Sequence, residues 1–293
     1  MTFTAKSAMA QPITFTDRTA VLATMHHKEK VIAPLMAEGL GVRVVVPPKL
    51  DTDSFGTFTR DIPRQGTQLE AAKAKAEQAL RLTGETMAIA SEGMFFPHPG
   101  FPYIACNREL VLLIDQQYDL EIAGYAVSTT TNYSHDVVSD VDAALAFASK
   151  VGFPEHGLIV MPEGAIADSS RIIKGIVTED HLLEATRETL AKFGKAHLET
   201  DMRAMYNPTR MAVIQQATQD LIKKLQQRCP QCEWPGFDVA DRRKGLPCAW
   251  CSSPTELTLA ITYLCKRCSL NQEQFFPNGQ KNADPEHCSY CNP

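Results

Sequence analysis

Eight cysteines fall into four Cys-x-x-Cys pairs: Cys229/Cys232, Cys248/Cys251, Cys265/Cys268 and Cys288/Cys291. Each such turn sets two sulfurs about one edge of a metal tetrahedron apart, and two turns complete a four-thiolate shell. Two structural zinc ions are therefore expected. A catalytic zinc is not, because eight thiolates leave neither ion an open position. The segment repeats itself, with fifteen residues between the first two pairs and nineteen between the last two. This favours tandem ribbons, each closed by consecutive pairs. An interleaved pairing, or a nested one joining the second and third pairs across residues 257–263, satisfies the same spacing. Apolar residues are too few here for much of a core, so metal binding would supply the folding energy. The ninth cysteine, Cys106, stands alone and reads as a small buried apolar residue.

A second group could do chemistry at the end of the first strand. Thr24, His26, Lys28 and Lys30 lie where residues 18–24, an apolar run, give way to a helical pattern over 31–38. Ligands of open α/β sheets bind at the carboxyl ends of strands, and helix amides favour anions there. Glu92, before Gly93, is positioned to ligate magnesium or act as a base, and Arg108 to clamp an anion. A third cluster spans 199–210, where Asp201, Arg203 and Arg210 surround the start of a helix capped by Asn207. Arginine forks suit phosphate or carboxylate, and Asp201 could help Glu92 hold a divalent cation. The bland reading of this cluster is a salt-bridged elbow.

The elements that must position these groups are legible in outline. Residues 18–24 and 42–46 read as parallel strands joined by a helix, a βαβ unit. Residues 51–65 form a polar loop. Thr67 and Glu70 make a capping box for a helix that stops at Gly84. Strands are expected at 87–90 and 109–114, with a Pro-rich loop at 97–102 between them and a hairpin partner at 119–127. Helices at 141–151 and 179–193 alternate with strands at 158–161 and 174–177. The last helix starts at Pro208 and buries Met211, Ile214, Thr218, Leu221, Ile222 and Leu225. Residues 1–17 read as a loose arm, 18–228 as an α/β domain with a mixed, mostly parallel sheet, and 229–293 as the zinc module, a double ribbon.

Net charge is −5, which argues against a general nucleic-acid binder. From Cys229 onward there are six Lys/Arg against seven Asp/Glu, and each four-thiolate zinc adds further negative charge. A protein-contact role suits the ribbons better, with Arg242-Arg243-Lys244 as a solvated hairpin tip. No apolar run is long enough for a membrane span. Thiols kept for metal point to a reducing compartment, so the cytoplasm is expected.

Residues 23–31, the helix at 66–76 and Ile89-Ala90-Ser91-Glu92-Gly93 together resemble the inosine-triphosphate pyrophosphatase-like fold, the last stretch especially its non-canonical purine nucleotide phosphatase branch. Residues 109–115 and 175–178 extend the likeness. His26 stands where that family has Asn, and Thr67 where an acidic metal ligand sits. The resemblance implies a magnesium-dependent nucleotide or phosphate-ester hydrolase. Joined with the strand-end set and the 199–210 cluster, it makes Glu92 and Asp201 the candidate catalytic acids and puts Thr24, His26, Lys28, Lys30, Arg108, Arg203 and Arg210 around the anion. The whole chain, with Asn207-Pro208-Thr209-Arg210 and the terminal knuckles, also resembles an uncharacterised bacterial protein family. The alternative reading is a non-catalytic ligand-sensing or scaffold protein whose ribbons dock a partner.

Overall fold

The computed structural model describes residues 13–48, 50, 66–98, 100–164 and 169–293. The chain divides into two compact units, Phe15–Ile222 and Lys223–Pro293, residues 13–14 belonging with the latter. The expected polar loop at 51–65 and most of the expected N-terminal arm lie outside the described residues. What is described of that arm is anchored: Ile13 and Phe15 are buried, and Arg228 donates to the Ile13 carbonyl at 3.0 Å.

In the larger unit, β1 (Thr19–Ala23), α1 (Glu29–Leu40) and β2 (Arg43–Val45) form the βαβ unit, with β2 parallel to β1. Helix α2 (Gln68–Thr83) starts on a complete capping box: Thr67 Oγ1 accepts from the Glu70 amide at 3.2 Å, and the Glu70 carboxylate accepts from the Thr67 amide at 2.7 Å. Three long strands follow, β3 (Met87–His98), β4 (Phe101–Asp115) and β5 (Leu120–Ser128). The sheet order is β2-β1-β3-β4-β5.

Only the pairs β1/β2 and β1/β3 are parallel. The expectation of a mostly parallel sheet is corrected, because the links at 99–100 and 116–119 are too short for a crossover and force antiparallel pairing. The expected Pro-rich loop is also corrected. Its residues extend β3 and β4 into a two-stranded ribbon around a turn. The last β1/β3 pair is Ala23 with Ala90, and β5 leaves β4 at Asn107. Beyond those points neither strand has a further strand partner on that edge among the described residues, where Pro97 and Pro102 sacrifice no ladder hydrogen bond.

Helix α2 covers one sheet face with alanines: Ala72, Ala76 and Ala79 pack on Val21, Ala88, Ala90 and Leu112. On the other face lies α5 (Pro208–Gln226). A Cβ on Gly124 of β5 would come within 2.3 Å of the Ala217 carbonyl, so glycine permits the helix backbone to touch the strand. The apolar stripe of α5 buries Ile214, Thr218, Leu221, Ile222 and Leu225 as its spacing predicts.

A second sheet has order β6-β9-β7-β8 and is wholly antiparallel, from β6 (His135–Val138), β7 (Leu158–Pro162), β8 (Ile173–Ile176) and β9 (Ala196–Thr200). Helices α3 (Val141–Lys150) and α4 (Glu179–Phe193) supply Phe147, Ala148, Leu182 and Ala185 to a core with Leu158, Val160, Ile176 and Leu198.

The smaller unit takes in the last turn of α5, where the Lys224 carbonyl accepts from the Gly236 amide at 3.0 Å. It holds one three-stranded antiparallel sheet of β10 (Asp238–Lys244), β11 (Thr258–Leu264) and β12 (Asn271–Phe275). Arg242, Arg243 and Lys244 were expected at a hairpin tip. They lie within β10, where Arg243 pairs with Glu273 at 2.6 Å and Lys244 with Glu256. Among the described residues no helix is long and apolar enough to cross a membrane.

Candidate functional site

The turn after β1 carries Thr24, His26 and Lys28 into the interior of the larger unit. Thr24 is buried, and its hydroxyl accepts from the His26 amide at 3.2 Å. His27 adopts φ +57°, which reverses the chain so that Lys28 leads into α1. The Lys28 side chain is buried, and its amine donates to the Ser91 carbonyl at 2.9 Å and hydroxyl at 3.3 Å. Ser91 is the first residue of β3 beyond its last pairing with β1. The strand end of β1 thus leaves a gap that the lysine fills.

Glu92, the next residue on β3, is buried and ion-paired with Lys75 of α2. Gln68, the first residue of the same helix, fixes the backbone around it. Its amide nitrogen donates to the carbonyls of Glu92 at 2.7 Å and Arg108 at 3.0 Å, and its oxygen accepts from Arg108 Nε at 2.8 Å. Across β3 from Gly93, Glu109 accepts from Arg210 Nε of α5 at 2.7 Å. Arg210 also donates to the Met202 carbonyl, and its own amide donates to the Asn207 side chain at 2.8 Å. A Cβ at Gly93 would lie 2.4 Å from both Arg210 and Glu109, so a larger residue here would have to displace the ends of that ion pair. Asp201 is fully buried; it accepts from Arg203 at 2.6 Å and from the Gly175 amide at 3.1 Å, while the Arg203 guanidinium lies 4.7 Å over Tyr206.

These groups act on one another. Burial, then the positive charges of Lys28, Arg210, Arg203 and Lys75, push the half-buried His26 imidazole down to about 3. Burial first and Arg210 second push the Lys28 amine down to about 7, with Glu109 and Glu92 opposing the shift and Lys75 adding to it. His26, Lys28, Arg203 and Arg210 therefore converge with Glu92. Lys30 does not join them and lies exposed on α1. Arg108 is half-buried and turned to Gln68. Lys75 and Glu109 complete the set and were missed. Their signal was a charge on the alanine face of α2 and a carboxylate opening an apolar strand.

The charge balance is uneven. Glu92, Glu109 and Asp201 each have a cationic partner, in Lys75, Arg210 and Arg203. Lys28 has only the two Ser91 oxygens, with no carboxylate in ion-pair contact among the described residues. Asn107, in the same strand as Glu109 and buried, keeps a side-chain oxygen without a hydrogen-bond partner among those residues.

In the smaller unit the eight cysteines form two tetrads, each able to hold a metal ion. The pairing is interleaved: Cys229 and Cys232 meet Cys265 and Cys268, while Cys248 and Cys251 meet Cys288 and Cys291. Consecutive pairing is thereby corrected, and strand register is the cause. Asp238 of β10 pairs with Leu264 of β11, which brings the first knuckle beside the third. Lys244 pairs with Thr258 at the opposite end, and Cys248 bridges to Ala283 beside the fourth knuckle. The second knuckle is the turn of a hairpin, so it cannot share an ion with its predecessor.

Cross-pair sulfurs lie 3.6 Å apart for Cys229/Cys268, Cys232/Cys265 and Cys251/Cys288, and 3.9 Å for Cys248/Cys291. A tetrahedron with zinc–sulfur bonds of about 2.3 Å needs edges of about 3.8 Å, so the donor set fits. The first three knuckles share one backbone form. The residue after the second cysteine, Glu233, Ser252 or Ser269, has φ of 58°, 60° or 59°, and its amide returns to the carbonyl of the first cysteine. Amides of Trp250 and Cys268 also point at the Cys248 and Cys265 sulfurs, at 3.4 and 3.5 Å, where a thiolate would accept from them.

No curated protein matches the chain. Residues 75–293 match the domain of unknown function DUF6671, a span that holds Lys75, Glu92, Glu109, Asp201, Arg210 and both tetrads and begins after His26 and Lys28. With about three quarters of its length so matched, the chain belongs to the DUF6671 family.

Proposed function

We propose that the Phe15–Ile222 unit binds a phosphate-bearing small molecule, a nucleotide or phosphate ester, against the turn after β1 and hydrolyses it, and that both tetrads hold structural zinc. The observation that carries the first part is Lys28: a buried amine that feels two carboxylates, Glu92 and Glu109, each of which has another cationic partner. An unpaired buried charge is costly, so such an amine either stays neutral or receives an anion. A phosphate that enters between Lys28 and His26 supplies the missing negative charge. Glu92 is the carboxylate beside that position and would orient the attacking water and accept its proton. Water oxygen then bonds to phosphorus as the bond to the leaving oxygen breaks. The likeness of residues 89–93 to the inosine-triphosphate pyrophosphatase-like fold supports the same substrate class.

Magnesium, which that likeness implies, does not fit the acids as they stand. Asp201 is taken by Arg203 and the Gly175 amide, and Glu92 by Lys75, so these two acids offer no open pair of carboxylates among the described residues for a hard cation. No step is therefore routed through it. For the tetrads, four thiolates at tetrahedral spacing select zinc among the abundant divalent ions.

The test is phosphate release from a panel of nucleoside triphosphates and phosphate esters, with and without magnesium. Turnover is expected to disappear in Glu92→Gln and to lose affinity in Lys28→Met. A protein that neither turns over nor, in equilibrium dialysis, retains any member of the panel overturns the proposal.

A further inference from the structure

The two tetrads differ in what surrounds them. At the first, Trp234 packs with Phe237, Tyr263 and Cys229, and the Arg267 guanidinium lies 4.3 Å over its ring. The second tetrad presents Trp250 and Tyr290, each the residue before the second cysteine of its knuckle. Trp250 is 79% exposed and Tyr290 80%. Among the described residues neither ring has a cation or another ring against it. Two large aromatics, the residue types that dominate binding hot spots, are thus carried in matching positions by one rigid metal-closed framework.

Charge selects the partner. Around this tetrad Lys244 is occupied by Glu256 and the His287 imidazole meets one Glu286 oxygen at 3.2 Å, which leaves Lys281 against the exposed Asp284 and the second Glu286 oxygen. A divalent ion in four thiolates keeps a further charge of about −2 at the centre. The aromatic pair therefore stands on a negative surface. Such a surface repels phosphates and attracts cations, and a guanidinium stacks on an indole face while its donors reach carboxylates. Arg267 over Trp234 is the intramolecular version of that contact.

We propose that the face of the second tetrad carrying Trp250 and Tyr290 binds an arginine-bearing extended segment of a partner protein. Trp250 stacks on the guanidinium, Tyr290 takes the neighbouring residue, and Asp284 and Glu286 supply the acceptors. The site is independent of the phosphate chemistry assigned to the larger unit.

The experiment uses the full metal-loaded chain and a labelled Arg-Gly repeat peptide, followed by fluorescence anisotropy. Binding is expected, weakening with salt. A Glu-Gly repeat and an oligouridylate should stay free. Trp250→Ala should cost about tenfold or more in affinity, Tyr290→Ala less, and Trp250→Phe should recover most of the loss. Both side chains are exposed, so metal content measured on each variant should stay at the wild-type value and separates loss of contact from loss of fold. The proposal is overturned if the peptide fails to bind, or binds Trp250→Ala as tightly as wild type. It is equally overturned if the oligouridylate binds through the same two residues, which would make this a nucleic-acid surface.

Discussion

In the Phe15–Ile222 unit buried charge is balanced side chain against side chain, within a core of alanines, valines and leucines. In the Lys223–Pro293 unit eight thiols are gathered with little apolar cover, such as the cluster of Phe237 with Cys229, Cys265 and their partly buried neighbours. The first unit holds its polar groups because the fold exists. The second, with metal in its tetrads as proposed, folds because its polar groups are held. Specific chemistry is cheap to support where a core already fixes the backbone, whereas a small sheet must take its stability from the ligand it binds.

Metal removal is the largest expected effect and would break the comparison if it failed. Chelation should unfold β10, β11 and β12, since structural zinc contributes on the order of 10 kcal/mol per site, and leave the larger unit's transition in place. Hydrogen exchange reads both; continued protection of the 258–264 amides without metal would refute the account of the second unit.

Next in size is the loss of one ion. Cys265→Ser should lower metal content from about two per chain to about one and expose Cys229, Cys232 and Cys268 to alkylation. Labelling of Cys288 and Cys291 instead would restore consecutive pairing.

In the larger unit, Glu109→Ala strands the Arg210 guanidinium and should cost about 3–5 kcal/mol in denaturant unfolding. The double variant with Arg210→Met should recover much of that. A single-variant loss below about 1 kcal/mol would show that the pair is solvated rather than buried.

Lys28→Met gives the smallest change, and its sign matters most. With the folded amine lowered to about 7 from 10.5, the unfolded chain binds more protons between those values, so wild-type stability rises with pH across that window. The cost of charging Lys28 is fully present below pH 7. The variant should therefore be more stable than wild type by about 1 kcal/mol in acid, and the advantage should fade toward pH 10.5. Phosphate affinity of the wild type should fall as pH rises above about 7, by up to about tenfold per unit. A variant less stable than wild type at pH 6 would mean that Lys28 has a counter-charge in the free protein.

Much of this was legible in the sequence where local chemistry decides. The capping box at Thr67, the stripe on α5 and the span of α4 follow from spacing alone. Strands β6 and β9 did not, because four or five residues flanked by polar turns carry too little pattern to stand out. His26 and Lys28 were recognised as strand-end residues, whereas Glu92, expected just past the end of a strand at 87–90, lies inside β3, which runs on to His98. Lys75 and Glu109 were not, since a lysine among alanines reads as a solvated helix position until the helix is laid on its sheet. The tetrads show the same limit. Ligand identity is a matter of residue type, but which knuckle meets which depends on the β10/β11 register, a long-range property that spacing leaves open.

Interleaving has a consequence for how the metal is taken up. The loop closed by the first tetrad runs from Cys229 to Cys268 and already contains Cys248 and Cys251, half the ligands of the second. Filling it fixes the β10–β11 hairpin and shortens the free chain that the second tetrad must close, so the entropy of the second closure is partly spent in advance. Uptake should then be cooperative. During a titration the chains would divide between metal-free and doubly loaded forms, with the singly loaded form scarce, and native mass spectrometry would count the three populations directly.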